Sequence, residues 1–260
     1  MDNKLKIGIR NTNPERINKV NEIFKSVSDI IRNKKGFLCN FQIEDYEILK
    51  RKFSEEDIDF FEKSNPKALC NFEEAILINE SFFECIEINQ KSVALHEIFH
   101  ILNKPPQEVL NDFDNPLVKY VYGEYLADYH LFNIDKDIFL NGRIIPDLDT
   151  ISIKEIKKDI ALSNNEDDFI KGKFQDIGRL YYYYIIYPYQ PIISKIDELI
   201  GLIREYFSDI DFILKNLQEV CNQLKLKKYQ ELKDLFYKID MDILNLTRSQ
   251  PDQPRLPINP

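Results

Sequence analysis

Along most of the chain apolar residues recur at helical spacing, and they alternate only in short stretches before residue 90. From Pro14 to Asn33, the residues Ile17, Val20, Ile23, Phe24, Val27, Ile30 and Ile31 form one stripe, which predicts an amphipathic helix with a single buried face. Asn13 stands where a cap is needed, Pro14 suits the first turn, and Lys34-Lys35-Gly36 ends the pattern. GFLCNFQIEDYEIL (36–49) alternates loosely and reads as a strand. SEEDIDFFEK (54–63) reads as a short helix opened by Ser54, with Asp57 reaching back to it. EEAILINE (73–80) is a second strand candidate and ECIEIN (84–89) a third. Residues 91–103 form a helix stopped by Pro105-Pro106. Another helix covers 117–134, with Pro116 at its start and Gly123 as a weak point.

From about 152 the texture changes. Segments 152–162, 166–187, 191–206, 208–226 and 228–247 all carry helical periodicity. The last ten residues, PDQPRLPINP, are too rich in proline to fold regularly. The pattern predicts an α+β domain over 1–148, an all-helical region over 149–250 and a flexible tail over 251–260.

Composition narrows the classes. With 260 residues, 43% hydrophobic and 30% charged, the chain can bury a real core and has the make-up of a globular protein. No stretch approaches the roughly 20 apolar residues of a membrane span. MDNKLKIGIRNTNPER has no apolar signal region, so a cytoplasmic location is expected. A net charge of −9 argues against direct nucleic-acid binding, which needs clustered Lys and Arg. The tyrosine run YYYYIIYPY (181–189) has only Arg179 as a nearby cation, and is expected to be a buried aromatic helix surface ended by Pro188 rather than a stacking platform for bases. Cys39, Cys70, Cys85 and Cys221 are widely spaced with no CxxC pair, as expected of reduced structural thiols.

The chemistry concentrates in VALHEIFHIL (93–102), where two of the chain's three histidines stand four apart with a glutamate after the first. Chance gives such a spacing in about three of a thousand chains of this composition. A helix brings positions i and i+4 to one face about 6 Å apart, so His96 and His100 can each offer a ring nitrogen to one Zn²⁺. Glu97 lies about 100° round the helix, beside the metal, where a base for its water must stand. As an ordinary core helix, the segment would bury two imidazoles and a carboxylate with nothing to satisfy them, which is costly. GEYLADYH (123–130) supplies two candidates for a third ligand, Glu124 and His130. Asp128 falls one turn after Glu124, placed to support a histidine ligand from behind, and this favours the glutamate.

His96-Glu97-Ile98-Phe99-His100 followed by Glu124-Tyr125-Leu126-Ala127-Asp128 resembles the HExxH plus ExxA(D/N) signature of gluzincin-type metallopeptidases, and most of all the ImmA/IrrE family. The resemblance covers roughly residues 10–140 and is carried by these two motifs. It implies a zincin-like domain with His96, His100 and Glu124 as zinc ligands and Glu97 as general base, with Asp128 behind the ligands. The implied activity is Glu-assisted attack of a zinc-bound water on a peptide bond, as in site-specific cleavage of a regulatory protein such as a repressor. Tyr120, Tyr122, Tyr125 and Tyr129 are nearby as oxyanion donors, with no choice among them. Strand AILIN (75–79) is expected to take up substrate at its edge. The other class of function is a catalytically quiet sensor or scaffold, binding a protein partner through the helical half.

Overall fold

The computed structural model describes residues 4–113, 115, 117–151, 166–205, 207, 209–226 and 228–248. The expected helix 152–162, the role of Pro116 and the tail 251–260 lie outside the described residues. Contacts group the chain into two compact units, Met1–Pro105 with Leu126–Pro146, and Pro106–Tyr125 with Asp147–Pro260. No described helix is long and apolar enough to cross a membrane.

The first unit is α+β. Its mixed sheet has the order β2-β1-β4-β3, built from β1 (Leu5–Ile9), β2 (Phe41–Glu44), β3 (Ala68–Cys70) and β4 (Ala75–Ile78). β1 runs parallel to both β2 and β4, with Ile7 opposite Ile43 on one side and Ile76 on the other. β3 is antiparallel to β4, with Leu69 opposite Leu77. All four residues of β4 are buried, as a strand paired on both edges and covered on both faces requires. AILIN is therefore an inner strand. Its backbone groups are spent on β1 and β3, so it has no edge for a substrate, contrary to the expectation from sequence.

Helix α1 (Pro14–Lys35) links β1 to β2 and buries Val20, Ile23, Phe24, Val27 and Ile31. Asn13 accepts from Arg16 N–H at 2.9 Å, and Gly36 ends the helix at φ 77°, a left-handed conformation glycine adopts without steric cost. The expected strand over 36–49 is shorter, because Asp45 accepts from Ile48 N–H at 3.1 Å and opens helix α2 (Tyr46–Leu49). Ser54 caps α3 (Glu55–Ser64), accepting from Asp57 N–H at 3.1 Å while its hydroxyl donates to the Asp57 carboxylate. ECIEIN is not a strand. Asn79 caps α4 (Glu80–Phe83), and helix α5 (Glu87–Leu102) begins four residues earlier than the pattern suggests, with Gln90 Nε2 donating to Phe82 O at 3.0 Å. β1 and β3 are too short for periodicity to single out; pairing with β4 makes them strands.

The second unit is helical: α6 (Gln107–Leu110), the turns Val118–Gly123, α10 (Glu166–Ile186), α11 (Gln190–Arg204), α12 (Asp211–Gln223) and α13 (Tyr229–Arg248). Tyr182 and Tyr183 on α10 are fully buried and meet edge to face at 4.8 Å, while Tyr181, Tyr184, Tyr187 and Tyr189 are half-buried, so the buried aromatic surface expected of the run is met at two of its positions. Asp112 fastens the start of this unit to α13, accepting from Tyr229 at 2.8 Å, Tyr237 at 3.0 Å and Lys233 at 2.8 Å. Helix α7 (Glu124–Ile134) continues the chain into the first unit, followed by α8 (Lys136–Phe139), the wide turns Leu140–Ile144 and α9 (Ile145–Thr150).

Candidate metal centre

Helix α5 forms where it does because Val93, Ala94, Leu95, Ile98 and Phe99 need a core, and all five are buried. Asn103 ends it, with Nδ2 donating to Phe99 O at 3.3 Å. That burial carries His96 and His100 inward on the same helix, at 3% and 5% exposure. Their rings meet edge to face with centroids 4.5 Å apart, and the two Nε2 atoms stand 2.9 Å from each other.

Glu124 opens α7 directly after the wide turns Val118–Gly123, whose backbone hydrogen bonds run i to i+5. A ligand nitrogen from each histidine and a Glu124 carboxylate oxygen all lie within 4.8 Å of one another. One turn further along α7, Asp128 is shut off from solvent and accepts from His96 Nδ1 at 2.8 Å. A carboxylate can only accept, so Nδ1 carries a proton, and Nε2 is the ring nitrogen that faces His100. Two imidazoles and a carboxylate whose donor atoms converge, with a second carboxylate behind one ring, form a group that could hold a metal ion.

Glu97, next to His96 on α5, is half-buried and makes no hydrogen bond or ion pair with any described residue. Ile98 and Phe99 point into the core. His130 does not join the cluster. It packs against Phe99 at 5.8 Å, and burial, reinforced by Lys35, holds its imidazole below the usual histidine range. Tyr122 is buried on Tyr229 at 5.2 Å, and Tyr125 on Tyr182 at 6.0 Å, a structural use for both rings. Tyr129 lies against His130, and the Tyr120 side chain lies outside what is described.

Two neighbours of the site escape sequence reasoning. Phe72, at φ 58° in the β3–β4 loop, meets the His100 ring edge to face with centroids 5.2 Å apart. Left-handed backbone is costly for so bulky a residue, and Asn71 holds it by accepting from Glu73, Glu74 and Ala75 N–H groups at 3.0–3.1 Å. Arg143, in the wide turns after α8, donates from Nε to Asp128 Oδ1 at 3.1 Å. Asn71 is a recognisable turn residue, whereas nothing in NGRIIP marks Arg143. No protein-family model, curated protein or solved structure matches the chain.

Proposed function

We propose that the protein is a zinc-dependent endopeptidase with a zincin-like first unit, acting on an extended segment of a protein substrate. The observation that carries this reading is the convergence of His96, His100 and Glu124, with Asp128 behind His96. These three side chains would hold the ion, which when bound supplies Lewis-acid polarisation of the scissile carbonyl and a more acidic water. Asp128 keeps the His96 ring in the tautomer that offers Nε2. Glu97 takes the proton from the attacking water on its carboxylate and returns it to the departing amine. Its lack of a partner among the described residues leaves both oxygens available for that exchange. The sheet edge at β3, whose other side is paired with β4 and whose following loop touches His100, suits an added substrate strand.

Elemental analysis of protein purified without chelator, together with hydrolysis of an unfolded protein, tests the proposal. Stoichiometric zinc is expected, with cleavage abolished by a chelator and restored by zinc. Absence of the metal, or bound metal without cleavage, would overturn it, and the latter would favour a scaffold.

A further inference from the structure

We propose that Arg143 is a positioning residue of the metal centre, locking Asp128 so that His96 presents Nε2 in one fixed direction. This rests on the zinc reading above. Asp128 Oδ1 accepts from His96 Nδ1 at 2.8 Å and from Arg143 Nε at 3.1 Å. A second donor on the oxygen that holds the imidazole restrains the carboxylate's turn about its terminal bond further. The guanidinium suits this task because its donors sit in a rigid plane, and its charge offsets the cost of burying the carboxylate. Arg143 is itself mostly shielded, with 19% of its side chain exposed against 0% for Asp128.

The backbone beside the donor lies close against α5. At Gly142 the chain passes so near α5 that a Cβ would lie 2.6 Å from both Ile88 O and Ser92 Cβ. Arg143 thus starts from a point pressed against the helix that carries His96. His100 meets the Phe72 ring edge to face.

The test uses the full-length protein, with zinc affinity measured by competition against a chromophoric chelator, and the visible absorption of the Co²⁺-substituted form recorded alongside. Arg143→Met keeps an apolar stem and removes the donor. It should raise the zinc dissociation constant by about 10–100-fold and shift the cobalt bands, with the circular dichroism of the metal-free protein unaltered. Arg143→Lys, which keeps the charge without the planar fork, should fall between wild type and Arg143→Met. Combining Arg143→Met with Asp128→Asn should cost no more affinity than Asp128→Asn alone, because one residue acts through the other. Affinity within about two-fold of wild type with an unchanged cobalt spectrum, or additive losses in the double variant, would overturn the role. Should Arg143→Met fail to fold, Arg143→Lys decides by the same two readouts. A wild-type protein that takes up no zinc sinks the metal reading too; a zinc-loaded wild type beside an indifferent Arg143→Met sinks only this inference.

Discussion

Glu97 and its two neighbouring histidines differ in what surrounds them, and the proposed function reads that difference as one base beside two ligands. The histidines are buried and in contact, His96 with Asp128 and His100 with the Phe72 ring, while Glu97 is half-buried and makes no hydrogen bond or ion pair with a described residue. A ligand must be held still, whereas a proton carrier must be able to release what it accepts. Glu97→Gln preserves shape and removes the basic oxygen. Peptide hydrolysis should fall by about 10²–10⁴-fold while zinc content stays at the wild-type level. Steady-state turnover beside metal analysis reads both; turnover near wild type would end the role given to Glu97.

Between elements, the site depends on close backbone approaches as much as on side chains. Gly142 lets the turns Leu140–Ile144 lie directly on α5, and Gly123 leaves room for the Phe113 ring, 3.1 Å from where a Cβ would be, just before Glu124. One set of wide turns thus leads into Glu124 and the other contains Arg143. Gly142→Ala should cost about 1–3 kcal/mol, because a backbone oxygen and a Cβ both stand in the way and neither yields easily. Gly201 on α11 has open space around its Cβ direction, and Gly201→Ala should stabilise by about 0.5–1 kcal/mol as a helix-interior replacement. Thermal melts of the two variants against wild type give opposite signs if this picture holds. Zinc affinity should fall for Gly142→Ala alone, since only that change displaces Arg143.

At the scale of the molecule, acid should loosen the second unit through Asp112. Asp112 is 8% exposed and its carboxyl is held below the ordinary range, first by the hydrogen bond from Lys233, then by the hydroxyls of Tyr229 and Tyr237, against the opposing effect of burial. A folded-state pKa below the unfolded value of about 3.9 means that the unfolded chain binds the proton more readily. The stabilisation is therefore complete above that unfolded pKa and is lost as pH falls through the lower folded value. Asp112→Asn should melt at a lower temperature than wild type near neutrality and show a shallower decline from about pH 5 to 3. Melting curves across that range check it; an unaltered acid limb would remove Asp112 from the account.

What the sequence determined alone is local. The buried stripe and cap of α1, the Ser54 and Asp57 pair, the α10 tyrosine surface and the i, i+4 placement of His96 with His100 and of Glu124 with Asp128 all follow from spacing within one helix or turn. Tertiary structure decided what depends on a partner far along the chain. LKIGI and ALC become strands only beside β4, and AILIN becomes an inner strand for the same reason. ECIEIN, which alternates like a strand, yields to capping by Asn79 and to the early start of α5. His130, the commoner zinc ligand by type, is turned toward Phe99, while a glutamate reaches the histidines. Arg143 and Phe72 stand 47 and 28 residues from His96 and His100 respectively. No periodicity links such positions, because a contact of that kind is fixed by how elements pack and not by the turn of any one of them.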